Sequence, residues 1–248
     1  MRRHVVKVAS ARLAASLGFA LLAAPASAGD AAALGPLGFS ADGRYFGYEE
    51  YGIQDGSGFP YASVFLVDLA EDRWVGSPVR VRLDDETRTL DAARRQALSQ
   101  AAPMLEKAAL VVPAQPLLMN ADGEVGVDGA EAVFGLFRHG LDEPGNQLRL
   151  ELETFPSTTT EPCASFGMAE PVKGFALTLV DEAGTASEMH RDASVPASRR
   201  CVVDYRIHAV LAPFPRGLDA TPLVAVISVY SLGFEGPDRR FVTLPVTP

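Results

Sequence analysis

Pro222-Leu223-Val224-Ala225-Val226-Ile227-Ser228-Val229-Tyr230-Ser231-Leu232 is the strongest apolar run beyond the N-terminal segment 1–28. From Leu223 it is ten residues long, too short for a helix that crosses about 30 Å of hydrocarbon. Its length and continuous apolar character read as a strand buried on both faces, so it is placed centrally in the fold. The stretches around it carry the two-residue period of half-exposed strands. From Cys201 to Leu211, Val203, Tyr205, Ile207, Ala209 and Leu211 are expected inward, with Asp204, Arg206 and His208 outward. From Gln147 to Thr154, Leu148, Leu150 and Leu152 alternate with Arg149, Glu151 and Glu153. Further strands are expected at 132–138, at 173–180 with a partner at 185–190 across a turn, and at 241–246.

The N-terminal half begins with the same signal. Asp42-Gly43 marks a turn, because this pair tolerates positive φ. Arg44 to Tyr51 and Tyr61 to Leu69 follow as strands, rich in the aromatic and β-branched residues that favour them. Arg73-Trp74-Val75 begins a third, and Val79, Val81 and Leu83 alternate with Arg80 and Arg82. The period then changes. Leu90, Ala93, Ala97, Leu98, Ala101, Leu105 and Ala108 recur at steps of three and four, which describes a helix face. Thr89 is its expected N-cap and Asp91 sits in its first turn. Pro103 predicts a break into two helical pieces. Arg94, Arg95, Gln96, Glu106 and Lys107 are read as its solvated face. The expected class is mainly β: antiparallel sheets, sandwich-like or incomplete propeller-like, with one helical insertion near 85–109.

The segment from Met1 to Ala28 follows the plan of a secretory signal peptide. Arg2, Arg3, Lys7 and Arg12 give a positive start, Leu13 to Ala24 is apolar, and Ala26-Ser27-Ala28 supplies the small residues of a cleavage site. The expected organisation is a signal peptide over 1–28 and a single secreted β-rich domain over 29–248, with residues 29–35 a flexible start. The whole chain has 22 Lys and Arg against 31 Asp and Glu, a net charge of −9. Cleavage after Ala28 removes four basic residues and no acidic one, leaving −13. That balance argues against a nucleic-acid partner, which needs a positive surface. No second run is long enough for stable membrane insertion after cleavage. Cys163 and Cys201 are the only cysteines, and an oxidising compartment favours a disulfide between them, stabilising by about 4 kcal/mol through loop closure.

Two resemblances arise from quoted residues. Phe39-Ser40-Ala41-Asp42-Gly43-Arg44-Tyr45, followed by the strand ending Val67-Asp68-Leu69, resembles a hairpin repeat of the TolB-type β-propellers. Leu118-Met119-Asn120-Ala121-Asp122-Gly123 is similar to a second copy. The longer run from Gly38 to Tyr61, with Glu49-Glu50-Tyr51-Gly52 and Gln54 to Pro60, is similar to an uncharacterised family of predicted secreted bacterial proteins. So is the tail Gly233 to Phe241. This second resemblance implies export, with a Gram-negative periplasm or the medium as destination, and brings no activity.

Catalytic motifs are absent from the sequence: no Gly-x-Ser-x-Gly elbow, no phosphate-binding glycine loop and no His-Glu-x-x-His. His139, His190 and His208 are read as strand residues, although Glu188 and His190 share a face in the expected pairing. Asn120, Asp122, Glu124 and Asp128 are read as a turn, since a calcium loop requires a different order. No metal and no cofactor is expected. Two polar clusters are the candidate ligand-binding residues: Glu49, Glu50 and Asp55 around the glycine-rich loop 52–60, and Glu235, Asp238, Arg239 and Arg240 before the last strand. Adjacent glutamates on a strand point to opposite faces, so Glu49 and Glu50 are not expected to act as a pair. Arg239 or Arg240 is expected to pair with a carboxylate and order its loop. The function expected is a non-enzymatic binding or interaction module of the bacterial envelope, its partner an envelope protein or a small ligand. The alternative is a secreted hydrolase that works through carboxylates.

Overall fold

The computed structural model describes residues 29–122, 124–137, 145–214 and 222–248. The expected signal peptide and His139 lie outside them. The elements are β1 (Ala33–Ser40), β2 (Tyr45–Ile53), β3 (Pro60–Asp68), β4 (Arg73–Trp74), β5 (Val79–Arg82), α1 (Leu90–Ala108), β6 (Leu110–Val112) and β7 (Ala114–Met119). There follow β8 (Glu131–Phe137), β9 (Gly145–Pro156), β10 (Lys173–Val180), β11 (Ala186–Arg191), β12 (Val202–Pro213), β13 (Leu223–Ser231) and β14 (Asp238–Val246). The fold is mainly β, with one helix among the described residues.

The strands form three antiparallel sheets. The first has the order β4-β3-β2-β1-β6, with β5 also paired to β3. The second is β14-β13-β12-β7 and the third β11-β10-β9-β8. Packing places the second sheet between the other two. On β13, Leu223, Ala225, Ile227 and Val229 join a core shared with Leu150, Phe175 and Leu177 of the third sheet. Val224 and Val226, on its other face, pack with Phe46, Tyr48 and Phe65 of the first sheet. The apolar run is therefore central, because both faces of its strand are covered. Helix α1 covers the outer face of the first sheet through Ala93, Ala97 and Ala101, against Ala62, Val64 and Val81. Alanines at these steps let the helix lie close to the strands.

Several expectations are corrected. The hairpin at 39–69 does not belong to a propeller: it sits inside a sheet of a layered sandwich, and neither a closed barrel nor a propeller is present among the described residues. Its turn does form as read, with Gly43 at φ 72° and the Asp42 side chain accepting from the Arg44 N–H at 3.1 Å. Of the second propeller-like copy, read at 118–123, Leu118 and Met119 end the edge strand β7, paired to β12, and Gly123 lies outside the described residues. Residues 29–35 are not a loose start: Asp30 is buried, Ala31 bridges Arg239, and β1 begins at Ala33. Helix α1 runs unbroken through Pro103. The carbonyl that loses its partner there belongs to Ser99, which is exposed and free to meet water. Thr89 does cap the helix, its hydroxyl accepting from the Ala92 N–H at 3.2 Å.

Strand β12 departs from simple alternation. Its pairing with β13 slips between Ile207 and Ala209. Before the bulge, Tyr205 and Ile207 face the third sheet; after it, Val210 and Ala212 do, while Ala209 and Leu211 turn to the first sheet. One extra residue exchanges the two faces of the strand. The disulfide joins Cys163, in a 3-10 turn after β9, to Cys201 just before β12, across a sequence separation of 38 and a Cα–Cα distance of 5.5 Å.

Candidate functional site

The inward face of β2 carries Phe46, Tyr48 and Glu50, and that of β3 carries Tyr61, Ser63, Phe65 and Val67, as the two-residue period requires. Register places Arg82 opposite Tyr61 and Arg80 opposite Ser63 on β5, and Trp74 opposite Val67 on β4. Near β2 this face meets the second sheet through aromatic side chains, with Tyr48 stacked on Phe65 at 4.6 Å between centroids. Toward β5 the apolar residues give way to Ser63, Arg80 and Arg82. A cleft of about 630 Å³ opens there between the two sheets. Its far wall comes from β14 and the end of β13, and its rim from His190 and the segment around Ser198, Arg199 and Arg200.

Glu50 is buried in the cleft wall, 6% exposed, and its carboxylate accepts from the Phe241 N–H at 3.1 Å. Burial pushes its pKa up to about 7, against the opposing pull of the Arg240 charge and the Phe241 hydrogen bond. Beside it, the buried Asp30 carboxylate accepts from the Tyr61 hydroxyl at 2.6 Å and from the Arg240 guanidinium at 2.6 Å. Burial holds the Tyr61 phenol above its ordinary value, and Asp30 adds to this. The Arg240 guanidinium lies over the Tyr61 ring, 4.7 Å from its centroid. The Asp30 backbone N–H donates to Asp238 at 3.1 Å. These contacts tie the first residues after the expected cleavage point to the start of β14.

The rim has its own network. Buried Asp192 accepts from Arg199 at 2.8 and 2.9 Å, from the Phe175 N–H at 3.0 Å, and lies 2.9 Å from His190 Nε2. Burial pushes the Asp192 carboxyl up, but the His190 hydrogen bond and the Arg199 charge outweigh it and leave it below its ordinary value. His190 is thus engaged by Asp192 and by the Phe175 ring, while Glu188 bonds Arg191, so the two do not form a ligand pair. Among the described residues no group of three or more His, Cys, Asp or Glu is placed to hold a metal ion.

The structure brings together Glu50, Asp238 and Arg240 of the candidate residues. It separates the others. Glu49 faces the helix and accepts from Arg94 at 2.5 and 3.3 Å, which also takes Arg94 out of the solvated face expected for it. Asp55 lines a separate shallow hollow with Gly29, Gln54 and Glu86. Glu235 is exposed on the loop before β14. Arg239 points away from Arg240 and is buried, donating to the Ala32 carbonyl at 2.8 Å and to Asp122 at 2.9 Å. Asp122 belongs to the turn weighed above as a calcium loop, and its carboxylate is taken by this guanidinium. Sequence reasoning missed Asp30, Tyr61, Trp74, Arg80 and Arg199. Only Arg80 carried a signal, the Val-Arg alternation of 79–82; Asp30 sits among small residues that give no period at all.

The model of a family described as predicted secreted protein (DUF2259) matches residues 47–247. The chain belongs to this family. The span of the DUF2259 match runs from within β2 to β14 and so includes Glu50, Tyr61, Arg80 and Arg240, while Asp30 precedes it. No curated protein and no solved structure matches the chain. The family description agrees with the resemblance read in 38–61 and 233–241, and supports secretion without assigning an activity. No described helix is long and apolar enough to cross a membrane.

Proposed function

We propose that this chain is a non-enzymatic binding module of the bacterial envelope, exported to the periplasm of a Gram-negative cell, and that it holds a small ligand in the cleft between its first two sheets. The observation that carries this is the cleft itself, about 630 Å³ with aromatic walls and a few convergent polar groups. Those features are typical of small-molecule sites. Much of the polar lining is also pre-organised: Asp30, Tyr61 and Arg240 hold one another, and Asp192 holds Arg199. A site fixed before binding loses less freedom when it is filled. Native mass spectrometry of the protein, after incubation with an envelope extract, tests the reading. A bound small molecule that is lost in Trp74→Ala supports it. A protein that stays empty, or a bound species unaffected by Trp74→Ala, counts against it.

One observation favours the hydrolase as a second reading: Glu50 lines a cleft and has a pKa of about 7, the range of a general acid. Loss of turnover in Glu50→Gln, with the fold intact, is what this reading requires. Turnover unaffected by that change removes Glu50 as a catalyst.

A further inference from the structure

Resting on the binding reading above, we propose that the cleft selects an organic anion, its oxyanion group held by the Arg80 guanidinium and its flat apolar part laid against Trp74. Arg80 makes no ion pair among the described residues. Its guanidinium lies 5.6 Å from the centroid of Phe65 and 5.7 Å from that of Trp74, so the two rings position it. These cation–π contacts hold the charge in place without a hydrogen-bond acceptor among the described residues, so the N–H groups are available to the carboxylate, phosphoryl or sulfonyl group that a guanidinium recognises.

The surroundings reinforce this choice. Six arginines line the cleft, at 73, 80, 82, 199, 200 and 240, against four carboxylates, at 30, 50, 72 and 238. The chain as a whole has the opposite balance, with a net charge of −9. Two of those arginines are only loosely matched: Arg73 lies 3.9 Å from Glu71, and Arg200 lies 3.9 Å from Asp238. Glu50 is buried, and burial favours its neutral form, so it opposes an incoming anion less than a surface glutamate would. Trp74, 37% exposed at the wall, offers the flat apolar surface.

Trp74 is the single tryptophan of the chain and stands at the cleft wall, so energy transfer from it reports a dye bound in its neighbourhood, and the Arg80 variants assign that signal to the cleft. The disulfide-intact protein is titrated with two dyes of similar shape, 1-anilinonaphthalene-8-sulfonate, an anion, and N-phenyl-1-naphthylamine, which is neutral. The expected result is transfer to the sulfonate with at least tenfold tighter binding than to the amine. Arg80→Ala should weaken the sulfonate by about tenfold and leave the amine unchanged. Arg80→Lys, which keeps the charge without the planar fork, should fall between, and Arg95→Ala on the exposed helix face should change neither. Equal binding of both dyes, or sulfonate binding unaffected by Arg80→Ala, overturns the anion assignment and leaves a neutral-ligand cleft. Absence of transfer to either dye overturns the anion assignment and the binding reading together.

Discussion

Glu49 and Glu50 are neighbours on β2, yet one faces the helix and the other faces the second sheet, and their surroundings differ accordingly. Glu49 has a guanidinium against it; Glu50 has a backbone N–H and an Arg240 charge that do not offset its burial. Glu50 titrates from an ordinary 4.5 in the unfolded chain and about 7 in the folded one. Between those values the folded state keeps a proton that the unfolded chain releases, so stability is withdrawn as pH rises through this window. The penalty is absent below 4.5 and complete somewhat above 7, at roughly 3 kcal/mol. Glu50→Gln keeps an acceptor for the Phe241 N–H and removes the titration. Its unfolding free energy, relative to the unaltered protein, should therefore be higher at pH 8 than at pH 4 by about that amount. Denaturant titrations at the two pH values check this, and a difference that does not change with pH refutes it. The alternation rule was enough to assign the two glutamates to opposite faces from sequence. What lay beyond each face was not legible, because a partner such as Arg94 or Phe241 comes from a distant part of the chain.

Helix α1 is the element whose sequence spoke most clearly. Its period, Thr89 cap and small-residue face are all local properties, and all three are realised. The Pro103 break did not occur, since a lost hydrogen bond at an exposed carbonyl costs less than giving up the contacts that hold the last turn to the sheet. Arg94 was misread for the opposite reason: its position on the helix is peripheral, but a buried carboxylate lies within its reach. The Glu49 side chain is only 3% exposed, so Arg94→Ala strands a charge in the interior. Because Arg94 itself is partly in water, the expected cost is that of one unsatisfied buried group, about 1–3 kcal/mol. The double variant Glu49→Ala, Arg94→Ala should lose clearly less than Arg94→Ala alone. Equal losses measured by chemical denaturation would show that packing of the Arg94 stem, not the pair, matters. Strand β12 gives the complementary lesson. Its alternation was visible, and Tyr205, Ile207, Ala209 and Leu211 are buried as read, but the bulge was not, so residues read as sharing one face are divided between two. A bulge is chosen by which two faces must be covered, and that depends on the sheets above and below.

At the scale of the whole molecule, three sheets and a helix are held by contacts between segments far apart in sequence, and the disulfide reinforces one such junction. Its sequence separation of 38 implies about 4 kcal/mol of stabilisation through loop closure. Reduction, or the pair Cys163→Ala, Cys201→Ala, should lower the unfolding free energy by that order, and two free thiols by mass in the exported protein would refute the bond. By itself the sequence determined the strand-rich class, the helix and its cap, the cysteine pairing, the secretory character of its family and the central place of the 223–232 run. Most of these follow from composition or from a short-range period that a single segment carries alone, and the cysteine pairing follows from there being two cysteines and an oxidising compartment. Tertiary structure decided the order of the layers, the replacement of a propeller blade by a sandwich hairpin, and the side of β12 that meets each sheet. It also decided that Asp30, Glu50, Tyr61, Arg80 and Arg240 share one cleft. The physical reason is that sheet order and the opening of a cleft are set by which buried faces fit together, and the residues that settle the fit stand up to 210 positions apart.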